Sequence, residues 1–137
     1  VMAMEPEVLI LDEPAAGLDP LGREEILGGI RTYQRQKRST VVIVSHSMED
    51  MARYADELIV LEHGRVYMTG SCREVFRRAG DLTAVGLDIP QITRFMRLLQ
   101  AKGAPVRTDI FTVEEAKDEI VRVLSAQRKK SAGGGAK

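Results

Sequence analysis

The stretch VLILDEPAAGLDP, Val8 to Pro20, sets an unbroken apolar run directly against two adjacent carboxylates. Val8 to Leu11 show no apolar–polar alternation, which predicts a short parallel strand covered on both faces. Asp12 and Glu13 end it, and Pro14 stops the chain at once. In α/β proteins ligands bind at the C-terminal edge of parallel strands, where these acids fall. Asp12 there can hold Mg²⁺, an ion that prefers hard oxygen ligands. Glu13 points to the other side and can orient or deprotonate a water. The pair alone decides nothing, because strands also end in acids that simply face water.

The flanking elements extend the pattern. PAAGLDP is loop chemistry, and Asp19 before Pro20 pairs an N-cap with a proline at the first helical position. Ile26, Leu27, Ile30 and Tyr33 then share one helical face, interrupted by Gly28 and Gly29. TVVIVS, Thr40 to Ser45, is a second strand without alternation. Ser47 and Asp50 open a short helix over Met48 to Tyr54. ELIVL is a third strand, and His63-Gly64 closes a hairpin onto VYMTG. This order predicts an α/β sheet of parallel strands with an antiparallel edge. The remainder reads as helical. Ser71 and Glu74 form a capping box, and Asp88 is a candidate cap for a helix with Ile92, Phe95, Met96 and Leu99 on its apolar face. Thr112 and Glu115 cap a last helix with Val113, Ala116, Ile120, Val123 and Leu124 in one stripe.

Composition narrows the function classes. The 137 residues carry no formal net charge, only 4% aromatics and no Trp, which argues against a nucleic-acid surface. No apolar run approaches the length of a membrane span. The single cysteine, Cys72, has no partner for an internal disulfide and reads as inert. VMAMEPEV has no basic n-region and reads as the last turn of a helix that began before residue 1, ended by Pro6.

His46 closes the second strand as Asp12 and Glu13 close the first. If the strands are parallel, the three share one rim. A histidine there can hydrogen-bond a γ-phosphate or an attacking water, although a lone histidine is more often structural. Asp19 alone is a helix cap, and His63 is a turn residue.

Together, LILDEPAAGLDP and VIVSHSMED resemble the Walker B, D-loop and switch-histidine segments of ABC-type ATPases. Chromosome-maintenance and mismatch-repair ATPases share the acid pair but lack the hairpin and tail found here. GRVYMTGSCREVF resembles the post-switch region of transporter ATPases. GLDIPQITRFMRLLQAKG followed by TVEEAKDEI is similar to the C-terminal region of the ATPase subunits of energy-coupling factor transporters, which import vitamins and cobalt or nickel.

The resemblance implies an α/β fold: an incomplete P-loop NTPase parallel sheet of ABC type with an antiparallel hairpin, then a C-terminal helical extension. Its expected divisions are 1–70 for the ATPase core half, 71–127 for the extension and 128–137 for a disordered tail. It implies that Asp12 serves the Mg²⁺ of MgATP and that Glu13 polarises the attacking water. His46 would sense the γ-phosphate, and Asp19 with Ala16 to Leu18 would form a loop crossing an ATPase dimer interface. Ala15 departs from the Thr or Ser usual in that loop. The implied partners are a second ATPase subunit, identical or not, a transmembrane coupling protein and a substrate-binding membrane subunit, with no nucleic acid. The implied location is the cytoplasmic face of the cell membrane, held peripherally.

Phosphoryl transfer also needs a phosphate cradle, the G-x-x-x-x-G-K-[ST] loop, and no such segment occurs in the chain. The glutamine loop and LSGGQ signature are likewise absent from these residues. The sequence therefore reads as the C-terminal half of a subunit, beginning just after the signature. Two expectations follow. The chain alone is expected to be inactive and either unstable or aggregation-prone, or to close its sheet in a non-native way, because the phosphate-loop strand is missing from between its strands. Alternatively, it serves as a nucleotide-independent dimerisation or interaction module.

Overall fold

The computed structural model describes residues 5–133, with side chains to residue 128. The helix end expected at 1–4 and the last four residues of the tail lie outside the described residues. The chain divides into two compact units at the Tyr54–Ala55 junction.

The first unit is a β-α-β-α run: β1 (Val8–Asp12), α1 (Pro20–Lys37), β2 (Thr40–Val44) and α2 (Met48–Tyr54). β1 and β2 pair in parallel, with Val8 opposite Thr40 and Asp12 opposite Val44. This register carries both strands to the same rim. The next amide continues the ladder, Glu13 N–H donating to the Val44 carbonyl at 2.9 Å. One face of the ribbon is dry: Leu11, Val41 and Ile43 pack with Ala15, Leu27, Ile30 and Tyr54. Ala15, the departure from Thr or Ser, fills that core.

The other face corrects the expectation of strands covered on both sides. Val8, Ile10, Val42 and Val44 are exposed, so both strands alternate in burial although their sequences do not. The physical reason is that α1 covers one face and, within this unit, no described element covers the other. Ile26 also faces solvent, leaving Leu27 and Ile30 as the helix's buried anchors.

The second unit begins with a hairpin of β3 (Glu57–Glu62) and β4 (Arg65–Ser71). His63 (φ 48°) and Gly64 (φ 73°) are both left-handed, the turn geometry that matches strand twist. The two pairs form separate two-stranded sheets rather than one sheet with an antiparallel edge. α3 (Cys72–Arg77), α4 (Ala79–Ala84), α5 (Gln91–Ala101) and α6 (Val113–Gly133) follow. The Ser71–Glu74 capping box forms at the β4–α3 joint. Cys72 Sγ donates to the Ala55 carbonyl, and Phe76 is fully buried with its ring 5.7 Å from that of Phe111. These ties bind the hairpin to the helices that follow it.

α5 and α6 meet over Met96, Val106, Ile110, Ala116 and Val123, with Ile92, Leu99 and Ile120 at the margin. The inward stripe is narrower than expected, because Phe95, Val113 and Leu124 face out. Asp88 does not cap α5. Pro90 holds the cap position, while the Asp88 carboxylate accepts from Ile89 N–H and pairs with Arg94. α6 continues to Gly133, so residues 128–133, expected to be disordered, are helical.

Glu119 is the buried charge of this unit, 2% exposed. It accepts from Arg107 N–H and from the guanidinium groups of Arg107 and Arg122. The Arg122 hydrogen bonds, with the Arg107 amide, hold its carboxyl down at about 2. The unfolded value is about 4.3, so the stabilisation is complete above that pH and is lost as pH falls toward 2. Glu119→Gln is expected to destabilise this unit by about 2 kcal/mol at neutral pH. Thermal melts from pH 7 down to pH 3 check it: the gap between parent and variant should narrow with acidification.

Candidate functional site

The rim formed by the ends of β1 and β2 carries three of the candidate residues, Asp12, Glu13 and His46. Glu13 follows the last ladder pair with φ 45°, a left-handed backbone that non-glycine residues rarely adopt. That conformation costs on the order of 1 kcal/mol. The site keeps a glutamate there nonetheless, and its carboxylate reaches across to the end of β2. Glu13 Oε1 lies 2.6 Å from His46 Nδ1 and accepts from His46 N–H at 3.0 Å. Glu13 Oε2 accepts from Ser45 Oγ–H at 3.3 Å.

A carboxylate offers about four acceptor positions. Three are used here, which leaves room for a water on the Oε2 side. The His46 side-chain hydrogen bond, which outweighs partial burial, holds the Glu13 carboxyl below the usual range. Glu13 is thus anionic at neutral pH and suits orienting and polarising a water more than removing its proton outright. The His46 ring is itself largely exposed, 85% against 33% for the Glu13 side chain, so its remaining nitrogen faces outward. With Nδ1 committed to Glu13, that nitrogen is the one available to a ligand.

Asp12 ends β1 on the same rim and is exposed. No described residue hydrogen-bonds its carboxylate. Among the described residues no group of three or more His, Cys, Asp or Glu gathers to form a metal cage.

Asp19 stands apart from the pair. Its carboxylate accepts from Gly22 N–H at 2.7 Å and caps α1, with Pro20 at the first helical position. A Cβ at Gly22 would meet Asp19 Oδ1 at 3.0 Å, so the glycine is what allows the approach. The structure therefore joins Glu13 to His46, sets Asp12 beside them on the rim, and leaves Asp19 as a cap. It adds residues that the sequence reading passed over. Ser45, read only as the end of a strand, bridges Glu13 Oε2 and Ser47 N–H. Arg23, which no motif singled out, reaches Asp50 Oδ2 at 3.2 Å. The Ser47–Asp50 pairing, read as a helix start, was the available signal for this second layer.

No helix is long and apolar enough to cross a membrane among the described residues. No family model matches the chain. It is 48% identical over 124 residues to the energy-coupling factor transporter ATP-binding protein EcfA2 of Caldanaerobacter subterraneus subsp. tengcongensis, covering 90% of this chain and 43% of that protein. It is 51% identical over 125 residues to the protein of the same name from Clostridioides difficile, covering 90% and 43%. Among solved structures it resembles cbiO1 of Clostridium perfringens, described as part of the ABC transporter complex cbiONQ. There the TM-score is 0.53 and the identity 38%, over 70% of this chain and 38% of that one. The chain thus spans less than half the length of the curated relatives it matches.

Proposed function

From a chain that is a relative of energy-coupling factor transporter ATP-binding proteins and shares the ABC-type ATPase fold, we propose a part of an ATP-hydrolysing subunit. The observation that carries this reading is the Glu13–His46 contact on the rim that also presents Asp12. Asp12 would hold the Mg²⁺ of MgATP, which supplies charge neutralisation to the phosphates. Glu13, anionic and held at Oε1 by His46 and at Oε2 by Ser45, orients a water at the remaining acceptor position of Oε2. His46 presents its outward nitrogen to the terminal phosphate. Asp19 fixes the first turn of α1 and, with Ala16 to Leu18, shapes a loop for a second ATPase subunit, identical or different.

We extend the proposal to the assembly. The full subunit would sit peripherally on the cytoplasmic face of the cell membrane. There it would energise, through a transmembrane coupling protein, a substrate-binding membrane subunit that imports a vitamin, cobalt or nickel. The chain would correspond to the C-terminal half of that subunit, and it would be inactive alone.

The test is a chimera in which this chain replaces the matching residues of the Caldanaerobacter relative. ATP hydrolysis by the chimera is the expected result, with His46→Ala lowering turnover by at least about tenfold. A folded chimera that binds ATP and does not hydrolyse it would overturn the reading. A second reading, a nucleotide-independent dimerisation or interaction module, draws on one observation: no phosphate-loop sequence lies within these residues. A chimera that assembles with its partners and turns over no ATP would favour it.

A further inference from the structure

Glu13 and His46 sit on separate strand ends, and each strand end is followed by a loop. Something must hold the 45–50 loop at the distance that keeps Nδ1 on the carboxylate. The strand ladder stops at Val44, so the ladder alone does not do so beyond Ser45. A continuous polar chain does. Arg23, on the first turn of α1, donates to Asp50 Oδ2 at 3.2 Å and lies 3.5 Å from Ser47 Oγ. Ser47 Oγ accepts from Asp50 N–H at 3.3 Å, closing the first turn of α2. Ser47 N–H donates to Ser45 Oγ at 3.2 Å, and Ser45 Oγ–H donates to Glu13 Oε2 at 3.3 Å.

Arg23 belongs to the helix whose start Asp19 fixes, its N–H donating to the Asp19 carbonyl at 2.9 Å. Asp50 is buried, so its charge needs a partner, and the guanidinium is that partner. One nitrogen, Nη1, makes both contacts, its two N–H groups serving the Asp50 carboxylate and the Ser47 hydroxyl from a planar, pre-organised head. Glu24 adds a second tie between the same helices, accepting from Arg53 at 2.8 Å. That tie is exposed at both ends and contributes little.

We propose that Arg23 is a positioning residue: through Asp50 and Ser47 it locks the 45–50 loop to the start of α1 and thereby sets the Glu13–His46 contact. Arg23 does not touch the pair. It acts by fixing the loop that carries His46. The job this gives the pair rests on the proposed ATPase function, but the geometry is testable without any nucleotide.

The chain has two histidines, which makes the readout simple. With ¹⁵N-histidine labelling, the imidazole spectrum contains His46, bonded through Nδ1 to Glu13 at 2.6 Å, and His63, an exposed turn residue whose Nδ1 lies 3.6 Å from Glu62 Oε1, beyond hydrogen-bond range, as an internal reference. In the parent chain at neutral pH, His46 is expected to show a hydrogen-bonded Nδ1 signature that His63 lacks. Arg23→Ala should abolish that signature while His63 and the backbone amide spectrum outside the first unit stay in place. Arg23→Lys should restore it only in part, since it returns the charge on a shorter, more flexible stem. Asp50→Asn, which keeps the arginine and the shape, should reproduce the loss, and it decides the matter if Arg23→Ala fails to fold. An Asp50→Asn spectrum with His46 unchanged overturns the proposal, and so does a parent spectrum in which His46 matches His63. Because no ATP is present, failure of the ATPase reading leaves this result standing, and a normal ATPase with an unmoved His46 sinks only the positioning role.

Discussion

Glu13→Gln in the chimeric subunit is expected to reduce ATP turnover by at least about a hundredfold while leaving nucleotide affinity unchanged. The substitution is nearly isosteric. Its amide oxygen can still accept from His46, so the rim keeps its shape. What it removes is the negative charge that polarises a water on the Oε2 side, and the amide nitrogen now faces Ser45 where a carboxylate oxygen accepted. Binding depends on phosphate contacts that this change does not touch. A steady-state assay paired with an equilibrium binding measurement separates the two quantities. Turnover within a few-fold of the parent would exclude Glu13 as the water-orienting group. The same carboxylate predicts the acid limb of the parent's pH profile. His46 holds the Glu13 carboxyl below the ordinary range, so the charged form persists as pH falls, and activity should outlast the pH at which a free glutamate protonates.

MgATP titrated into the 137-residue chain by itself is expected to bind more weakly than about 1 mM, less than about 4 kcal/mol of affinity. The described rim offers the exposed Asp12 carboxylate, the His46 ring and the Glu13 carboxylate, the groups proposed to meet the far end of a triphosphate. It has no run of backbone N–H groups and no lysine placed as in G-x-x-x-x-G-K-[ST], which provide most of the grip on phosphates. Calorimetry in Mg²⁺ buffer is sufficient. Micromolar affinity would mean that the cradle is dispensable here and would overturn the division of labour proposed between this chain and the rest of its subunit.

The sequence showed the site more clearly than the packing around it. VLILD and TVVIV announced parallel strands, and equal strand lengths brought Asp12, Glu13 and His46 to one rim in the order read. The Asp19-Pro20 cap, the Ser71–Glu74 box and the His63-Gly64 turn were legible because each is short-range chemistry, decided within a few residues. Exposure was not legible. An apolar run states what a strand can tolerate on both faces, not what covers it, so Val8, Ile10, Val42 and Val44 were expected inside and stand in solvent. Asp88 misled for a related reason. Its position before Pro90 fits a cap, but Arg94 offers the carboxylate a stronger partner, and a charge-assisted pair outcompetes a helix amide. Arg23 was invisible because its partner lies 27 residues on, and no local pattern marks a contact of that range.

The left-handed backbone at Glu13 sets folding and chemistry against each other at one position. A glycine would adopt that conformation freely, and an asparagine nearly so, but the glycine gives up the hydrogen bonds that the Glu13 carboxylate accepts from His46 and Ser45, and the shorter asparagine does not reach them in the same way. A stability screen of this chain therefore weighs backbone relief against those hydrogen bonds at position 13 and reads nothing of the chemistry proposed for that side chain. Variants chosen for robustness alone are fit for use only once position 13 has been held fixed.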